Sequence, residues 1–200
     1  MPKIVDPDER RAAVAAAVLR VAARDGLAAA SLRNVAEEAG LAIGSVRHYF
    51  ADHDELILFT MRELVARIDT RVTAAVRRLL AETDGDHRQR AVALLEEFLP
   101  LDATRREEAE LWLAFTTAGH TRPALRPYAR KLQDSLRTVL AKLLTGAVTS
   151  GALPADLDVP LEAHRLSALL DGLTFQAVLE PDRVTPALMR RVLRAHLRFS

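Results

Sequence analysis

The 200-residue chain has no cysteine, only three lysines (Lys3, Lys131 and Lys142) and 4 % aromatic residues. Without cysteine there can be no disulfide, no thiolate metal site and no cysteine nucleophile. Few aromatics in a chain rich in Ala and Leu favour helices over sheets. No long apolar run opens the chain, because Asp6, Asp8, Glu9, Arg10 and Arg11 interrupt it. A signal peptide or membrane span is therefore not expected, and a cytoplasmic protein is. The net charge of +1 excludes a polycation. No phosphate-binding glycine loop or nucleophile motif occurs, and His48, His53, His87, His120, His164 and His196 lack metal-ligand spacing. Neither an enzyme, a metal site nor a cofactor is expected.

What remains is half apolar and 28 % charged, the balance of a soluble globular chain. Helix signals recur and no convincing strand appears, so the expected fold class is all-α with about nine helices. Asp6 and Pro7 read as an N-cap and first helical residue, followed by Val14, Val18 and Val21 at helical spacing and by Gly26 as a stop. Ser31 caps a second helix that Gly40 closes, and a third short helix fits 43–49. Asp52 with Glu55 forms an aspartate capping box for a long helix to about residue 80. A polar break at 83–86 is the expected boundary. Beyond it, helices fit 88–99, 105–118, 124–150, 161–179 and, after Thr185, 186–199, with a turn at 156–160.

The stretch "GLAIGSVRHYF", from Gly40 to Phe50, places two of the few aromatics at the end of an element of about two turns. Val35, Leu41, Val46 and Phe50 have the spacing of an inner face, and small Ala36 permits close approach. Ser45, Arg47 and His48 occupy the other side, with Gly44 near its start. A short helix that buries one face and offers donors on the other can enter a major groove. Residues 1–55 nevertheless hold seven Lys or Arg and nine Asp or Glu, a balance of −2. Nucleic-acid binding then requires the basic residues to gather on one face.

The segment "DGLAAASLRNVAEEAGLAIGSVRHYFADHDEL", Asp25 to Leu56, resembles the TetR family of bacterial transcription regulators. "ELWLAFTTAG", "SGALPADLD" and "LSALLDGLTFQAVLEPD" resemble more loosely the regulatory domain of its BetI-like branch. The resemblance implies a helix-turn-helix domain over 1–52, a connecting helix over 52–80, and an effector-binding and dimerisation domain over 83–200. It implies a homodimeric repressor on a palindromic double-stranded DNA operator, released by a small-molecule effector. Ser31 and Arg33 match positions touching phosphate and, for the arginine, a base edge. Ile43, Gly44, Ser45, Arg47 and His48 match the reading helix, and Tyr49 a phosphate contact. His53 matches a position usually held by lysine, where phosphate contact would favour the imidazolium. Ala42 stands at the usual polar cap, and Arg47 replaces a common tyrosine. The alternative is an all-helical interaction protein of this fold that has lost operator binding; an enzyme using Glu107, Glu110 and His120 is weaker still.

The segment 161–179 carries two apolar stripes. One is Leu166, Leu169, Leu170 and Leu173; the other is Ala168, Gly172, Phe175 and Leu179. One core needs one stripe, so the second, with Leu188 and Val192 of the last helix, is the expected dimer interface. A centrally buried helix is the alternative. The family's effector cavity would draw on Phe98, Trp112, Phe115, His120, Tyr128, Phe175 and Gln176, each of which also suits plain core packing.

Overall fold

The computed structural model describes residues 7–81 and 87–197. Among these there are nine α-helices and no strand. They are α1 (Pro7–Asp25), α2 (Leu32–Glu38), α3 (Ile43–Tyr49), α4 (His53–Ala81), α5 (His87–Leu95), α6 (Ala103–Thr121), α7 (Arg126–Thr149), α8 (Val159–Leu179) and α9 (Pro186–His196). Short 3-10 turns occupy Leu27–Ala29 and Glu96–Phe98. The expected cap Asp6, the break at 83–86 and the last residues from 198 lie outside the described residues.

The contacts divide the chain into two units: residues 1–67 with 110–128, and residues 68–109 with 129–200. The division falls inside α4 and α6 rather than at 83–86, because each of these long helices is continuous from one unit into the other.

In the first unit, α1 packs on α2, and α2 on α3. Val14, Val18 and Val21 are buried, as their spacing requires, together with Val35, Ala36, Val46 and Phe50. Ser31 accepts the Asn34 N–H through its hydroxyl at 3.2 Å and so caps α2. Gly40 takes φ 65° after α2. The Leu41 N–H then reaches the Ala36 carbonyl at 2.8 Å and the Gly40 N–H that of Glu37 at 3.1 Å, satisfying two terminal carbonyls. That glycine turn aims α3 away from α2. Phe50 closes the element with 2 % exposure, its ring 5.3 Å from that of Phe59. Burying a phenyl side chain contributes about 1.5–3 kcal/mol, so Phe50 fastens the end of α3 to the start of α4. Asp52 accepts the Glu55 N–H at 2.8 Å, while Glu55 reaches back to the Ala51 N–H at 2.7 Å. The capping box therefore closes one residue earlier than the Asp52 N–H.

In the second unit, Leu95, Leu99, Leu101, Leu140, Leu166, Leu170, Leu173, Met189 and Leu193 share one core. Asp158 accepts the Leu161 N–H, so α8 begins at Val159, before the expected turn has ended, with Pro160 in its first turn where a missing N–H costs nothing. Thr185 caps α9 through the Leu188 N–H at 3.3 Å. Arg71 of α4 binds the buried Glu108 of α6 at 2.7 Å. The helix expected over 88–99 ends at Leu95 and tightens into the 3-10 turn, whose Glu96 and Glu97 carbonyls accept from Arg105 and Arg71.

Candidate nucleic-acid interface

Ser31, Leu32 and Arg33 of the second helical segment, Ile43 and Arg47 of α3, and His53 of α4 line one open groove of about 770 Å³. Five of the nine residues expected at DNA are thereby brought together: Ser31, Arg33, Ile43, Arg47 and His53. Gly44 and His48 are exposed on α3 and Ser45 is half-buried. The helix keeps Val46 inside, so its outer face is free for a partner. Ala42 offers no side-chain cap to α3.

Tyr49 departs from this group. It lines a separate cavity of about 510 Å³ with Arg11, Phe59, Arg62 and Tyr128, and the Arg11 guanidinium lies over its ring at 5.9 Å. The ring also meets His48 edge-on at 5.4 Å. Its face is thus engaged by a cation within the chain, and only its edge and hydroxyl are left for other partners.

Pairing leaves the acidic balance in place but sorts the basic residues by position. Arg20 and Arg24 both bind Glu38, at 2.7 and 2.9 Å, and these two hydrogen bonds hold the Glu38 carboxyl below its ordinary range. Arg33 and Arg47 remain exposed in the groove. A third guanidinium joins them from outside the helix-turn-helix: Arg122, just past the end of α6, lines the same groove. Its Nη1 donates to His53 Nδ1 at 3.0 Å and to the Asp54 carboxylate at 3.3 Å.

This contact sets the surroundings of the His53 ring. Arginine is always a donor, so Nδ1 is the acceptor and the imidazole proton sits on Nε2. Burial first, and the Arg122 charge second, lower the His53 pKa below its ordinary value, against the opposing pull of Asp54 and Asp52. In the free chain this favours the neutral imidazole over the imidazolium. Its buried Nε2 has no partner among the described residues. Arg122 was not legible as part of this site because no local pattern reports an approach across 69 residues.

The expected effector residues fall in both units. In the first, Phe115 is fully buried, Trp112 half-buried, and His120 and Tyr128 exposed, with Arg62 over the Tyr128 ring at 5.9 Å. In the second, Phe98 is partly buried against the core. Gln176 is exposed, and Phe175 is 51 % exposed, which suits a covered surface better than an enclosed pocket.

On α8, the first stripe faces the core and the second is open. Leu179 is 62 % exposed, and Leu161, absent from the expected interface, is 59 % exposed. Ala168 is exposed and a Cβ on Gly172 would meet nothing within 4 Å. On α9 the buried positions are Met189 and Leu193, whereas Leu188 is only half-buried and Val192 packs partly against the core. Met189 and Leu193 share the core of Leu166, Leu170 and Leu173, which leaves Leu188 and Val192 on the adjoining, less buried side of α9.

Residues 14–58 match the family model for bacterial regulatory proteins of the tetR family, and residues 87–198 match that for the C-terminal part of BetI-type transcriptional repressors. The chain belongs to the TetR family. It is 35 % identical over 199 residues to the HTH-type transcriptional regulator PksA of Bacillus subtilis, spanning 98 % of this chain and 92 % of that one. The HTH-type transcriptional regulator BetI of Vibrio parahaemolyticus is 28 % identical, over 98 % of this chain and 94 % of its own. Among solved structures, a transcriptional regulator from Rhodococcus sp. Rha1 superposes with a TM-score of 0.79 at 31 % identity, covering 94 % of both chains. A transcriptional regulator from Saccharomonospora viridis, crystallised with choline, gives 0.78 at 26 % identity over 96 % of both. This TetR-family chain is accordingly a ligand-responsive transcriptional regulator with a DNA-binding helix-turn-helix. None of its described helices is long and apolar enough to cross a membrane.

Proposed function

We propose that the protein is a repressor that binds a near-palindromic operator as a homodimer and leaves it when a small molecule binds. The groove that gathers Ser31, Arg33, Ile43 and Arg47 beside an outward-facing α3 carries this reading. Arg33 and Arg47 are the candidates for base edges, where a guanidinium can bind guanine in two places. Gly44 allows close backbone approach; Ser31, Ser45, His48 and the Tyr49 hydroxyl serve the backbone. The open stripe of α8, Ala168, Gly172, Phe175 and Leu179, pairs with its symmetry mate, and Leu188 and Val192 flank it.

The effector site lies along α6, which carries Trp112 and Phe115. An effector releases DNA only if it binds more tightly to a form whose two reading helices are wrongly spaced. α4 is the lever: it opens at the Asp52 cap beside α3 and continues without a break into the second unit.

The test uses a panel of small molecules that includes choline, because the Saccharomonospora viridis relative was crystallised with it. A compound that raises the melting temperature and changes Trp112 fluorescence is titrated with and without the DNA flanking the gene. Binding linkage requires operator DNA to weaken the compound by the same factor by which the compound weakens DNA binding. Equal affinities in both titrations would mean that the compound is no inducer.

A further inference from the structure

Arg122 stands outside every segment assigned to DNA reading, yet its guanidinium shares a groove with Ser31, Arg33, Ile43 and Arg47. Its side chain is 41 % exposed. Both described bonds run from Nη1, to His53 Nδ1 and Asp54 Oδ1; no described bond engages Nη2 or Nε. A planar fork with one arm fixed and the other without a described bond, on a residue that lines a groove, is suited to an anionic oxygen. The fixed arm also limits the entropy lost when the other arm is engaged.

The surrounding charges decide what Arg122 can do. Asp52 and Asp54 line the same end of the groove, and His53 between them is neutral. Without Arg122, that end would present two carboxylates and no guanidinium to a polyanion. With it, Asp54 is partly compensated and one guanidinium arm remains available.

We propose that Arg122 is a DNA-backbone contact, supplied from the end of α6 and aimed by the neutral His53 imidazole, which bonds one guanidinium arm so that the other meets a phosphate. This rests on the DNA-binding reading above. His53 is then a positioning residue: it holds Arg122 and carries no charge to the DNA.

The experiment measures the salt dependence of binding to the gene-flanking DNA by the full-length protein, as the wild type, Arg122→Gln, Arg122→Gln with Asp54→Asn, and Arg122→Gln with His53→Lys. Each phosphate contact adds about 0.9 to the slope of log affinity against log salt. Loss of Arg122 should therefore flatten the slope by about 0.9 per half-site. Removing the Asp54 charge should leave it flattened. A lysine at 53, within 3.0 Å of the present guanidinium position, should restore it. Melting temperature and light scattering establish that each variant is folded and associated like the wild type. An unchanged slope in Arg122→Gln overturns the proposal. So does full recovery of the slope on adding Asp54→Asn, which would reduce Arg122 to a counter-ion for Asp54. Failure of the wild type to bind the DNA at all would instead defeat the DNA-binding reading, and this proposal with it.

Discussion

His53 shows how a neighbour distant in sequence can reverse a side chain's chemistry. At the N-terminus of a helix, an imidazole is expected to gain a proton near an anion. Here burial lowers its pKa most, and Arg122, which donates to it at 3.0 Å, adds to the effect. The sign for stability follows directly. The folded-state pKa is lowered, so the unfolded chain binds the proton more readily. Stability is fully present above the ordinary histidine value of about 6.5 and is lost as pH falls from there towards the lowered value. Arg122, Asp52 and Asp54 are the charged groups that set the shift. His53→Gln retains an acceptor for Arg122 without the titration. We expect the melting temperature of this variant to fall less than that of the wild type between pH 7.5 and 5. Parallel losses in both proteins would remove His53 from the account. Elsewhere, single residues were easier to read: Ser31, Gly40, Asp52 and Thr185 act through bonds to atoms within five residues, and their roles as caps or stops were legible in the local pattern.

Helix α8 demonstrates how far periodicity reaches. Its two stripes were visible in the residues, and the fold buries Leu166, Leu170 and Leu173 while leaving Phe175 and Leu179 more than half exposed. Periodicity did not reveal which residue of α9 faces inward, because Leu188, Met189, Val192 and Leu193 give two adjacent faces of equal apolar character. Packing selected Met189 and Leu193. Nor could it show that Leu161 extends the open stripe to the first turn of α8. The open stripe makes a separable prediction. A Cβ at Gly172 would meet nothing within 4 Å in one subunit, so Gly172→Leu should leave the subunit folded. It should block close approach of a second α8. Light scattering should then report a monomer whose melting remains cooperative, with operator binding lost. A dimeric Gly172→Leu protein would place the interface elsewhere.

Across the whole molecule, the helix-turn-helix was the most legible part because its constraints are local: a capped helix, a glycine turn and a short helix with one buried face. The division of the chain was less legible. The polar break at 83–86 suggested a boundary, and the BetI-type C-terminal match begins just after it, at residue 87; contacts, by contrast, group the first part of α4 with the later part of α6. No local signal marks such a division, since it depends on which distant helices meet. The groove required the same long-range information, because Arg122 enters it from residue 122 while its other basic members come from 33 and 47. If two such subunits read DNA together, their α3 helices must enter successive major grooves on one side of the duplex. Hydroxyl-radical footprinting of the wild-type protein on the DNA flanking its gene tests this most directly. The account predicts two protected patches related by a two-fold axis, with centres about 34–36 Å apart or at a multiple of that turn. Absence of protection, or a single patch without two-fold symmetry at saturating protein, would contradict it.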